Sequence, residues 1–112
     1  MTILRARILR NEQVVLPDNL SRNKFMEGTG VLTIFPRTQT AEIPLDRIYF
    51  SQDMLFLDEE GIIRQMVYKT EVKGTKPIVS KMEVRSVLQL NAGSIHKLGL
   101  KTGDKVAIPP QV

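Results

Sequence analysis

A chain of 112 residues, 42% hydrophobic and 25% charged, has the size and composition of one packed domain, which excludes bulk disorder. It has no cysteine, so disulfides, thiolate metal sites and a cysteine nucleophile are excluded. The formal net charge of +4 admits a polyanionic partner, but the basic residues are spread along the chain rather than gathered in one run.

From Thr2 to Ile8, Leu4, Ala6 and Ile8 alternate with Arg5 and Arg7, the period of a half-buried strand. Val14 to Leu16 is a second short strand, closed by the turn chemistry of Pro17-Asp18-Asn19. Leu20 to Glu27 is polar and fits a single helical turn. Gly28-Thr29-Gly30 punctuates the chain, and Val31 to Phe35 follows as a core strand ended by Pro36. Thr40 to Leu45 is a weak strand interrupted at Pro44, and Arg47 to Phe50 alternates with Ile48 and Phe50 on one face. Met54 to Leu57 is wholly apolar, and Asp58 to Gly61 supplies a hairpin turn into a long strand over Ile62 to Val72. Lys73 to Pro77 is a loop, after which Met82 and Val84 lead into the apolar stretch Val87 to Leu90.

One short helix is expected at about residues 92–98. Asn91 is placed to cap its start and Gly99 to take a left-handed position at its end, with Leu100 packing back on the last turn. Lys101 to Asp104 is a tight turn before a terminal strand, Lys105 to Ile108. Short strands with little helix predict a mainly β (β-rich α+β) single domain over residues 1–112, built as a small, partly open β-barrel. No apolar stretch reaches signal-peptide or membrane-spanning length, which predicts a cytoplasmic protein with no membrane contact.

The tail Leu90-Asn-Ala-Gly-Ser-Ile-His-Lys-Leu-Gly-Leu-Lys-Thr-Gly-Asp-Lys-Val106 resembles the C-terminal signature of the family called domain of unknown function 192. Gly28-Thr-Gly-Val-Leu-Thr-Ile-Phe-Pro36 and Asp53-Met-Leu-Phe-Leu-Asp-Glu-Glu-Gly-Ile-Ile63 are similar to two earlier runs of that family, in the same order. The tail is also similar to AbrB-like swapped-hairpin barrels, which bind DNA. Asp46 stands where the family usually has lysine, and Gln89 where it has glutamate. A polar site built on those two charges in relatives would not operate unchanged here. The resemblance implies a fold more than a function.

No complete catalytic set and no metal-ligand set is legible, so no catalytic residue, metal or cofactor is expected. His96 is the sole histidine and suits a surface or helix-packing position. Asp58-Glu59-Glu60 could recruit a divalent cation, but a solvated turn is the simpler account. Gly28-Thr29-Gly30 lacks the lysine and the helix of a phosphate loop. Asp46 could approach Asp53, or pair with Arg47 beside it. Asn91-Ala92-Gly93 at a helix start could offer free N–H groups to an anion, or merely cap the helix.

The lead expectation is a noncatalytic binding or accessory domain, with Asp46, Arg47, Asp53, Gln89, Asn91 and Gly93 as its ligand-binding candidates. One alternative is a basic nucleic-acid module using Arg5, Arg7, Arg10, Arg22, Lys24 and Arg37. A charged edge that discourages sheet pairing also explains the first of these. Another alternative is an enzyme or small-ligand site around Asp53 and Asn91, with Asp58 and Gln89 at the same cleft. The partner is left open between a protein, a second copy of the chain and nucleic acid.

Overall fold

The computed structural model describes residues 5–9, 25, 29–46 and 48–107. Strands β1 (Arg5–Leu9), β2 (Thr29–Ile43), β3 (Gln52–Leu57), β4 (Ile63–Val67) and β5 (Ile78–Asn91) precede one helix, α1 (Ser94–Leu98). The strands form one sheet in the order β1-β2-β5-β3-β4. β1 runs parallel to β2, and every other neighbouring pair is antiparallel. The fold is therefore mainly β with one short helix, as the strand patterning predicts. The sheet is open: among the described residues no pairing joins β1 to β4. No described helix is long and apolar enough to cross a membrane.

β3 is an inner strand of the sheet, between β5 and β4, and every one of its residues is buried. Met54 and Phe56 face one side, with Phe35, Ile43, Val84 and Val87. Leu55 and Leu57 face the other, with Leu32, Ile63, Leu88, Leu90 and Ile95. Burying each of these large side chains contributes about 1.5–3 kcal/mol. A strand buried on both faces reads as a continuous apolar run rather than an alternation, which is what Met54 to Leu57 shows.

Several boundaries differ from the sequence expectation. β2 does not stop at Pro36; its pairing with β5 shifts register between Ile34 and Gln39, and resumes to Ile43. A bulge is where a strand tolerates a residue that cannot donate to the ladder. The long strand expected from Ile62 to Val72 ends at Val67, because Lys69 turns the backbone to φ 46°. Within the strand expected over Arg47 to Phe50, the described residues Ile48 to Phe50 are not in a strand: Ile48 closes a turn by donating its N–H to the Leu45 carbonyl (3.0 Å). Of the terminal strand expected over Lys105 to Ile108, the described residues 105–107 show a single bridge, between Lys105 and Ile62. The readings at Val14–Leu16 and Pro17–Asn19 lie outside the described residues, as does Leu20–Glu27 apart from Phe25, and as do Arg10, Arg22, Lys24 and Arg47.

Gly30 pairs with Leu90, and a Cβ there would lie 2.4 Å from the Gln89 carbonyl oxygen. Only glycine lets β2 and β5 approach so closely at this point. α1 ends as the sequence predicts: Gly99 is left-handed at φ 64°, the Leu100 N–H donates to the Ile95 carbonyl (3.0 Å), and Leu100 packs on the Ile95 cluster.

Candidate functional site

The polar residues of interest gather where the start of β3 meets the end of β5. Gln52 stands opposite Asn91, Asp53 opposite Leu90 and Met54 opposite Gln89. Opposed residues of an antiparallel pair share a face, and successive residues alternate. Gln52, Gln89 and Asn91 therefore lie on one face and Asp53 on the other.

Asp53 is 1% exposed. Its Oδ1 accepts the Lys69 N–H (2.9 Å) and its Oδ2 accepts the Ile95 N–H (2.9 Å). The first bond fixes the left-handed turn that ends the β3–β4 hairpin. The second satisfies an orphan donor in the first turn of α1. That corrects the capping assignment: Asn91 belongs to β5, Gly93 at φ 92° occupies the cap position, and the cap acceptor comes from a distant strand. A helix start attracts an anion, and here the anion is the chain's own carboxylate.

Asn91 has a different task. Its Oδ1 accepts the Phe25 N–H (2.8 Å) and its Nδ2 donates to the Phe25 carbonyl (2.9 Å). One side-chain amide thus imitates a strand neighbour and fastens Phe25 to this face. Phe25 packs on Val31 and meets Phe50 edge to face at 5.0 Å between ring centroids.

Beside this apolar rim lies a pair of amides with no exposure. Gln89 Nε2 donates to Gln52 Oε1 at 2.8 Å. Gln52 Nε2 and Gln89 Oε1 have no partner, and neither has the buried Thr33 hydroxyl. Thr33 stands opposite Val87, one row along the same face from Gln89. Leaving a buried polar group unpaired costs about 1–3 kcal/mol; three such atoms belong to this end of the sheet, and Ser86 Oγ and Arg85 Nε are two more further along β5.

The sequence-predicted candidates divide accordingly. Gln89 belongs to the open amide pair, whose other half, Gln52, the sequence reading missed. Asp53, Asn91 and Gly93 are close by but hold the fold. Asp46 sits exposed on the turn before Ile48. Asp58 lies at the far end of β3 and accepts the Glu60 and Ile62 N–H groups (2.8 and 3.0 Å) and Arg64 Nε (2.8 Å). Burial opposes ionisation of Asp58, but these bonds and the Arg64 charge outweigh it and hold the carboxyl below its ordinary value. His96 is exposed.

A family model described as an uncharacterised ACR family, DUF192, matches residues 20–108. Two solved structures are similar in fold. One is a candidate transcription regulator from Sinorhizobium meliloti 1021, at 24% identity and TM-score 0.78, covering 91% of this chain and 79% of that one. The other is a protein of unknown function from Novosphingobium aromaticivorans DSM 12444, at 17% identity and TM-score 0.78, covering 91% of this chain and 73% of that one. No curated protein matches the sequence.

Proposed function

The chain belongs to the uncharacterised DUF192 family, and we propose that it is a noncatalytic binding or accessory domain that receives a small ligand at the Gln52–Gln89 pair. One observation carries this reading: the unpaired buried polar atoms of the pair, and of Thr33 one row along from it, are neutral amide and hydroxyl groups. Such groups orient a ligand, but a carboxamide neither gives up nor takes a proton readily enough for acid–base work. The nearby ionisable group, Asp53, has both oxygens engaged by backbone N–H groups. The cysteine-free composition suits the cytoplasm, which is where we place the protein.

The test is a fragment screen by NMR on the 15N-labelled chain. A binder should move the side-chain amide signals of Gln52 and Gln89, and Gln52→Leu/Gln89→Leu should lose the response. A screen in which those signals never move, or a binder that the protein converts to product, would overturn the reading.

A nucleic-acid module is the second reading. It is favoured by β1, which puts Arg5 and Arg7 at alternate positions of an edge strand, and by the designation of the Sinorhizobium protein. Arg37 lies six residues beyond Val31, the partner of Arg7, or about 20 Å along β2. That span separates Arg37 from the β1 arginines along the strand. A shift of duplex DNA in a low-salt gel, lost in Arg5→Ala/Arg7→Ala, would establish this reading.

A further inference from the structure

We infer that the ligand is an uncharged small molecule presenting a hydroxyl or carboxamide group to Gln52 Nε2 and Gln89 Oε1, an inference that rests on the binding role above. The mutual bond between the amides leaves a donor on one and an acceptor on the other. A complementary group must accept and donate together. A hydroxyl does both, and so does a carboxamide. A carboxylate only accepts and would turn its charge toward Gln89 Oε1. An ammonium only donates and would leave Gln52 Nε2 facing a cation.

The surroundings select in the same direction. Around the pair on this face stand Val31, Met54, Phe25 and Phe50, and the third unpaired group is the Thr33 hydroxyl. A buried ion without a counter-charge is strongly disfavoured. Among the described side chains none supplies that counter-charge: Asp53 is on the opposite face, Arg85 stands further along β5 and pairs with Glu59 (3.5 Å), and Lys73 is exposed, its Nζ lying 4.6 Å from the centre of the Tyr49 ring. The rim is aromatic and aliphatic, so the polar head should carry an apolar body. Both glutamines are sealed from solvent, so entry requires the rim to move.

A set of probes of one shape but different charge tests this on the full 15N-labelled chain: benzyl alcohol, benzamide, benzoate and benzylammonium. Benzyl alcohol or benzamide should shift the Gln52 and Gln89 side-chain amides, with an affinity about tenfold or more above that of the two ions. Gln52→Leu/Gln89→Leu should erase that preference, and Thr33→Val, which retains the pair, should weaken binding without erasing it. Ions that bind as well as or better than the neutral probes would overturn the ligand class and leave the binding role standing. If no probe moves these signals while a long-lived water shows magnetisation transfer to them, the pair holds a structural water, and both the class and the role fall. Silence from every probe without such a water has the same consequence.

Discussion

Gln52 and Asp53 are consecutive in β3 and equally inaccessible, yet their surroundings differ completely. Asp53 carries the group that is harder to bury, and both its oxygens are bonded. Gln52 carries a neutral amide, and its nitrogen has no partner. A buried ion left half-satisfied would shift its protonation or unfold the chain, so the fold must complete its bonds. A buried carboxamide can be left incomplete at a cost of only about 1–3 kcal/mol. Asp53 on one face of the strand end is therefore fully bonded, whereas on the opposite face the Gln52–Gln89 pair is left open beside the bonded Asn91.

The largest effect should come from the satisfied face. Asp53→Ala removes two charge-assisted hydrogen bonds and leaves the Lys69 and Ile95 N–H groups without an acceptor. It should destabilise the chain by about 3 kcal/mol in urea denaturation. Asp53→Asn keeps one strong acceptor and should cost less. A cost below about 1 kcal/mol for the alanine variant would erase the contrast between the faces.

Asn91→Ala comes next, at about 1–2 kcal/mol, since it removes both bonds to Phe25 at a half-buried site. Hydrogen exchange at the Phe25 amide should quicken well beyond what the global loss of stability explains.

The amide pair should respond in an unusual order. Gln89→Leu alone strands Gln52 Oε1 as well as Gln52 Nε2 and should cost about 1–2 kcal/mol. The double variant Gln52→Leu/Gln89→Leu removes the stranded atoms of both amides and should return to within about 1 kcal/mol of the parent. A double variant worse than the single one would show that the amides are needed for packing, and the face would lose its standing as a binding site.

Much of this layout is legible in the sequence because it is local. Met54 to Leu57, the Asp58–Gly61 turn and the Gly99 helix end each depend on neighbouring residues, and each was readable. Alternation at Tyr68–Val72 misled because Lys69 is held left-handed by Asp53, a contact across 16 residues of sequence. Asn91 has good capping chemistry, but its amide is claimed by Phe25, 66 residues away. Gln89 between Leu88 and Leu90 did advertise a polar side chain at an apolar position. Gln52, 37 residues earlier, gave no such sign, because its importance comes only from the register that seats it beside Gln89.

The smallest effect belongs to Asp58, which tests whether bonding alone explains Asp53. Asp58 has more hydrogen bonds than Asp53, to two backbone N–H groups and to Arg64, but it sits at the surface with its side chain 21% exposed. Solvent and salt screen such a site, so Asp58→Asn should cost less than about 1 kcal/mol. Its folded carboxyl titrates below the ordinary value, so its contribution is complete above about pH 4, the range of a free carboxylate. That contribution fades as the pH falls toward the lower folded value. Stability measured across this acid range should therefore decline less steeply in Asp58→Asn than in the parent. If Asp58→Asn proved as damaging as Asp53→Ala at neutral pH, hydrogen-bond number would govern both carboxylates, and burial would cease to distinguish the two ends of β3.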